Sequence, residues 1–220
     1  MKIRFLGHAS FLLDDGRSRL LTDPYLSGNP DAAVSPDEVQ ADYIFVSHGH
    51  GDHVGDTESI ARRCGAVVIA NVDLLRPLFG GKGIKTMGGN FGGWEELPFG
   101  RLKLVSAIHG SGVAGALASG AVIEMGGKKI YFAGDTALCA DMMFLKEEDI
   151  DLALLPIGDF YTMGPEDAVR ACKLICPKLV VPMHYNTFPV IAQDPEYFRT
   201  LCREAGFECR VMEIGGELEL

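Results

Sequence analysis

The chain reads as an α/β protein in which two β-sheets pack together with helices on their outer faces, and three observations predict this. Short apolar runs of strand character alternate with helical patterns along the whole length, the mark of a layered sheet-and-helix architecture. Those runs are about four to seven residues long, against the roughly 20 needed to cross a bilayer. A chain of 220 residues, 47% of them hydrophobic, is long enough to bury a large core, so one domain over residues 1–220 is expected.

The opening forms a β-meander: residues 2–6, 9–13 and 19–22 have strand character, with a tight turn at Asp14-Asp15-Gly16. A loop rich in Pro, Gly and Asn follows over 24–36. Residues 43–46 make a buried strand, and the polar, glycine-punctuated stretch 47–56 is expected to be loop. Helix 57–63, strand 67–70 and helix 72–79 come next. Residues 80–93 contain seven glycines and match no phosphate-binding signature, so a mobile loop is expected there. Strands at 102–107, 121–125 and 129–133 follow, the last two joined by a hairpin turn at Gly126-Gly127. The remainder reads as helix 141–147, strand 152–155, helix 165–176, strand 179–183, helix 195–205 and strands 208–213 and 217–220. No internal repeat or low-complexity segment interrupts this pattern.

Composition narrows the function classes. A net charge of −10 is the wrong sign for a nucleic-acid surface, which needs a basic footprint to neutralise phosphates. The N-terminus has no long apolar segment and no small-residue cleavage site, so no export signal and no membrane partner are expected, and the cytoplasm is the expected location. The six cysteines are scattered without C-x-x-C pairs and are expected to be free thiols acting as core filler. Cys172 and Cys176 stand four apart but have no matching second pair to complete a metal site.

The chemistry concentrates in Ser47-His48-Gly49-His50-Gly51-Asp52-His53. Four strong metal ligands fall within six residues, separated by glycines, directly after a strand. In an extended segment residues two apart point the same way, so His48 and His50 can reach one ion while Asp52 and His53 are offset toward another. His109, Asp135 and His184 each stand just past an apolar run, where loops carry function. One zinc-like ion takes about four ligands and a catalytic one keeps a position open, so this inventory implies two ions. His8, taken alone, suits a hydrogen-bonded core histidine as well as a ligand or catalytic group.

In order along the chain, Thr22-Asp23, His48 to His53, His109, Gly134-Asp135-Thr136 and His184 resemble the five motifs of the metallo-β-lactamase superfamily, whose hallmark is H-x-H-x-D-H followed by a distant His, an Asp and a final His. The resemblance implies the metallo-β-lactamase fold, an αββα four-layer sandwich of two mixed β-sheets with outer helices. It implies that His48, His50 and His109 bind one metal, that Asp52, His53 and His184 bind the second, and that Asp135 bridges them. Asp23 would accept a hydrogen bond from a ligand histidine and hold its tautomer. Members that hydrolyse antibiotics carry cysteine at the fourth motif in one well-known type, whereas Asp135 resembles the carboxylate-bridged esterase, phosphodiesterase and lactonase branch. The interval from Asp135 to His184 is too short for the insertion expected of β-CASP nucleases.

Gly7-His8-Ala-Ser-Phe11, Leu155-Pro-Ile-Gly158 with 162–168, and 182–188 are most similar to small stand-alone metal-dependent hydrolases of bacteria and archaea, and also resemble the ascorbate-6-phosphate lactonase and N-acyl phosphatidylethanolamine phospholipase D groups. Those groups use phosphorylated substrates. The implied activity is hydrolysis of an ester, phosphodiester or lactone bond in a small substrate, phosphorylated or not, by a hydroxide held between two divalent ions, zinc first, with manganese or iron as alternatives. Asp52 would orient that hydroxide. His8 is the second catalytic candidate, and Asp159, Tyr161, Tyr185 and Asn186 are the candidates for the substrate pocket. A diiron redox protein reducing oxygen or nitric oxide is the alternative, served by a separate electron donor. Assembly into a homo-oligomer is left open.

Overall fold

A computed structural model describes residues 1–220. The first sheet takes β1 (Lys2–Gly7), β2 (Ser10–Asp14), β3 (Arg19–Thr22), β4 (Tyr43–Phe45), then, after helices α1 (Gly51–Val54) and α2 (Thr57–Cys64), β5 (Val67–Asn71) and, after α3 (Val72–Phe79), β6 (Lys85–Gly89). The second sheet takes β7 (Trp94–Leu97), β8 (Gly100–Ser106), β9 (Ser119–Met125), β10 (Lys128–Phe132), β11 (Leu152–Pro156) and, after α4 (Pro165–Ile175), β12 (Leu179–Met183). A 3₁₀ helix spans Ala140–Glu148; α5 (Pro195–Glu204) and β13 (Glu217–Glu219) close the chain. The strand orders are β13-β1-β2-β3-β4-β5-β6 and β12-β11-β10-β9-β8-β7. Both sheets are mixed: the β1–β3 meander is antiparallel and β3 to β6 are parallel, while β7 to β10 are antiparallel and β10 to β12 parallel.

The period of two along each strand sorts side chains between layers. Leu20, Phe45 and Ile69 join the large core between and behind the sheets, while their neighbours Leu21, Ile44 and Val68 face the smaller core under α2 and α3. Phe45 meets Phe132 edge-to-face at 5.9 Å across the sheet interface. Met142, Leu145, Ala168, Cys172, Phe198 and Cys202 extend the large core under the 3₁₀ helix, α4 and α5. The result is the expected four-layer αββα sandwich. No helix is long and apolar enough to cross a membrane, and all six cysteines are unbridged.

Several segments depart from the sequence reading. The glycine-rich stretch 80–93 contains the parallel edge strand β6, because α3 lies so close that a Cβ on Gly88 would stand 3.1 Å from Val72 Cα. Gly88 thus serves packing against α3, and Gly89 packs against Leu104. Within the expected loop 47–56, Gly51–Val54 winds into one helical turn that carries two of the candidate ligands. Residues 208–213 make only an isolated bridge, Cys209 to Val180, instead of a strand.

Candidate metal centre

The candidate ligands all lie beyond the C-terminal ends of strands, and these strand ends meet at one edge of the sandwich. β4 leads to His48 and His50, and α1 carries Asp52 and His53. β8, β10 and β12 lead to His109, Asp135 and His184. Gly49 is required between the first two histidines: a Cβ there would lie 2.7 Å from Val113 Cγ2 and 2.9 Å from the Ser111 carbonyl oxygen, and its N–H donates to that oxygen at 2.7 Å. His8, Asp23 and His184 all have positive φ (56°, 33° and 55°). Such backbone is costly for residues with a Cβ and persists where the surroundings over-determine it, as at functional sites.

The side chains converge closely. Nε2 of His184, His53 and His109 lie 3.1, 3.3 and 3.6 Å from Asp135 Oδ2. His48 Nε2 and His50 Nδ1 stand 2.9 Å apart, and with His109 they place ligand atoms within 4.8 Å of one another. A second group with the same spacing is His8, Asp52, His53 and His184. Behind the ligands, Asp23 is fully buried and accepts from His53 Nδ1 at 2.7 Å, Ser47 N at 2.8 Å and Ser47 Oγ at 2.5 Å. Ser47 was not foreseen from sequence; its hydroxyl also reaches His48 Nδ1 at 2.9 Å, so one Ser–Asp pair fixes two ligand rings.

The fit to a cation can be judged from atoms left without partners. His53 Nε2, His184 Nε2 and Asp135 Oδ1 are buried and make no aligned hydrogen bond, although the two imidazole nitrogens stand within 3.3 Å of a carboxylate oxygen. Buried polar atoms without partners are expensive. Several converging on one point are what a metal ion would satisfy, and imidazole with carboxylate is a donor set suited to zinc, manganese or iron. The residues therefore fit the group.

Electrostatics agree. Burial pushes His48 down to about 2, assisted by the charge of His53; burial also lowers His8 to about 4 and lowers His109. Burial works to raise Asp135, but His53 and His184 overcome it and hold the carboxyl well below its ordinary range. Burial likewise opposes ionisation of Asp52, and the imidazoles of His8 and His53 outweigh it. His53, flanked by Asp135 and Asp23, is held well above the usual histidine range in spite of its burial. Asp52 and Asp135 are thus held ionised and His48 and His109 uncharged, the state a divalent cation requires of its ligands, whereas His53 would give up a proton on binding one.

A small cavity of about 170 Å³ opens onto the cluster, lined by His50, Asp52, His109, Asp135, Tyr161, His184 and Phe188. Of the pocket candidates, Tyr161 lines this cavity and Asp159, Tyr185 and Asn186 do not. Asn186 has positive φ and its side chain accepts from Gln193 N at 2.8 Å, so it builds the loop. Tyr185, between two left-handed residues, is thrown against the main core. Asp159 starts a tight turn, its N–H donating to Met163 O at 3.0 Å. Phe188 was missed; an aromatic four residues after the last candidate ligand was its only signal.

Comparison with known proteins places this geometry. The family model described as the β-lactamase superfamily domain matches residues 2–184, ending on His184. A UPF0173 metal-dependent hydrolase of Heliobacterium modesticaldum is 47% identical, with 100% of this chain and 98% of that protein covered. One from Thermus thermophilus is 48% identical over 100% and 99% of the two chains. Igni18, a metallo hydrolase of Ignicoccus hospitalis, has a solved structure that superposes with a TM-score of 0.93 at 37% identity, covering 100% of this chain and 98% of that one.

Proposed function

This chain belongs to the metallo-β-lactamase superfamily as a metal-dependent hydrolase, and from that premise we propose a dinuclear centre that hydrolyses an ester, phosphodiester or lactone of a small substrate. His48, His50 and His109 would hold one divalent cation and Asp52, His53 and His184 the second, with Asp135 shared between them. The observation that carries this reading is the set of buried, partnerless donor atoms gathered around Asp135. Five imidazoles and two carboxylates favour zinc among the divalent metals.

When bound, the cations supply Lewis acidity, bringing the pKa of a water down toward about 7 and neutralising charge that develops in the transition state. The protein's own contribution begins at Asp52. Its side chain is 28% exposed, lines the cavity and stays ionised, so it can accept a hydrogen bond from the attacking water and orient it. His8 braces it. His8 is buried, with its Nε2 3.3 Å from Asp52 Oδ2 and its Nδ1 hydrogen-bonded to Thr187 Oγ1 at 2.9 Å, so the threonine holds the ring beside the carboxylate. Asp23 and Ser47 fix the rings of His53 and His48 from behind. Tyr161 and Phe188 form the wall against which the rest of the substrate lies.

The test is metal content and turnover measured together. Protein reconstituted with zinc, manganese or iron(II) is expected to bind about two ions per chain and to hydrolyse members of a panel of phosphodiesters, lactones and thioesters. Saturation at one ion or none would reject the dinuclear centre.

A further inference from the structure

The segments that surround the cavity share a property that spacing and motif do not reveal. Residues 23–34, 47–56, 106–118, 135–145, 157–165 and 184–195 contain none of the 20 Lys and Arg residues, yet they contain eight aspartates. Every fixed positive side chain lies elsewhere on the molecule. Two divalent cations would bring +4 to the centre, against −3 from Asp23, Asp52 and Asp135, which leaves enough positive charge for one developing anion at the reacting bond. A second anionic group, a carboxylate or phosphate farther along the substrate, would find no Lys or Arg in these segments to pair with, on a chain whose net charge is −10.

What the surroundings offer is apolar. Tyr161 and Phe188 line the cavity. Phe160, 73% exposed, packs edge-on to Tyr161 at 4.8 Å. Ile108, beside His109, and Val190, two residues beyond Phe188, are 58% and 44% exposed. Phe160 is held out by strained backbone: Asp159 and Phe160 have φ of 59° and 48°, and the loop is clamped by Asp159 N–H to Met163 O at 3.0 Å and Met163 N–H to Thr136 O at 3.0 Å. A bulky aromatic in left-handed conformation, kept in water beside a site, marks a contact surface for an apolar ligand. The cavity, about 170 Å³, is close to the about 150 Å³ that accommodates a single benzene ring.

We infer that the substrate is a small neutral molecule with one aromatic ring or a comparable alkyl group next to the hydrolysable bond, and with no carboxylate or phosphate elsewhere. This rests on the hydrolase reading of the site, and it sets aside the phosphorylated substrates that the sequence resemblance brought into range.

Two matched pairs test it. Binding is read by calorimetry on zinc-loaded protein with phenylacetohydroxamic acid and its para-carboxylate twin, neither of which needs to be hydrolysed. The neutral compound is expected to bind about tenfold more tightly, with a gap that narrows in high salt, as a like-charge contact near a protein surface would. Phe160→Arg is expected to close or reverse the gap with zinc content unchanged, and Phe188→Ala to weaken the neutral compound several-fold. Equal or tighter binding of the carboxylate twin, or no binding of either, overturns the inference. Turnover is read with phenyl acetate and 4-acetoxybenzoate. Faster hydrolysis of the charged ester overturns the inference and leaves the hydrolase reading intact, whereas neutral-selective hydroxamate binding with no hydrolysis across the ester, lactone and phosphodiester panel supports the inference and sinks the proposed reaction.

Discussion

Asp52 is the residue on which the chemistry of the site turns. It is more exposed than the other carboxylates of the cluster, its side chain being 28% exposed where that of Asp135 is 4%, so it contributes little to the core and much to the cavity. Asp52→Asn keeps the shape and removes the charge. Turnover is expected to fall at least about a hundredfold, the scale of losing a well-placed electrostatic group, while the fold and the ion held by His48, His50 and His109 remain. Turnover, metal content and unfolding midpoint measured on one preparation decide it: near-wild-type turnover rejects the role, and global unfolding makes Asp52 structural. At this scale the ligand-type residues were legible because their chemistry is rare and their spacing specific. Tyr185 and Phe188 were not, since which of two aromatics in 184–188 faces the cavity depends on left-handed backbone at His184 and Asn186, which residue type alone does not announce.

Among the elements, the 3₁₀ helix Ala140–Glu148 shows how a local period becomes packing. Three residues per turn put Met142, Leu145 and Glu148 in one column; the first two are buried, and the third pairs with Lys103 of β8 and, at 3.5 Å, with Lys129 of β10. An α-helical reading of 141–147 would have scattered them. Burial opposes ionisation of Glu148, but the two lysines outweigh it and depress its carboxyl. A depressed folded pKa contributes stability that is fully present above the unfolded value of about 4.3 and disappears as pH falls through the folded value. Glu148→Gln is therefore expected to cost about 1 kcal/mol at neutral pH and less at an acid pH that protonates the parent's carboxyl. Urea unfolding of both proteins in chelator at the two pH values checks this, and a pH-independent gap would mean that packing rather than charge was lost. The helices and central strands were legible from their apolar periods. β6 was hidden because its Gly88 answers to α3 and its Gly89 to Leu104, neighbours in space; β7 is a short edge strand whose Trp94 is covered by Arg101 and Lys103 at 4.2 and 4.9 Å.

For the molecule as a whole, the cluster joins the two sheets at one edge: His48, His50, Asp52 and His53 follow the first sheet's β4, and His109, Asp135 and His184 follow strands of the second. Metal bound there would cross-link the halves of the sandwich and bind only the folded chain. Each ion present at about 100 times its dissociation constant adds about 2.7 kcal/mol, and a chain of this size gains about 2–4 °C per kcal/mol. Stripping the metal with a chelator is expected to lower the melting temperature by about 5–10 °C per site, and zinc is expected to restore it. A melting temperature indifferent to both treatments would remove the cations from the proposed centre.

The sequence alone determined the layer architecture and the inventory of ligands, because periodicity is a local property and because three histidines and an aspartate among glycines have no packing rationale. The tertiary structure decided what depends on distance between remote segments: that Asp135 lies among rings from both sheets, that Ser47 and Asp23 hold those rings, and that Phe188 rather than Asn186 faces the cavity. It also decided that five segments without a single Lys or Arg line the same opening. Charge counted along a chain is only a sum; it becomes a field, and so a preference among substrates, when the fold brings the loops together.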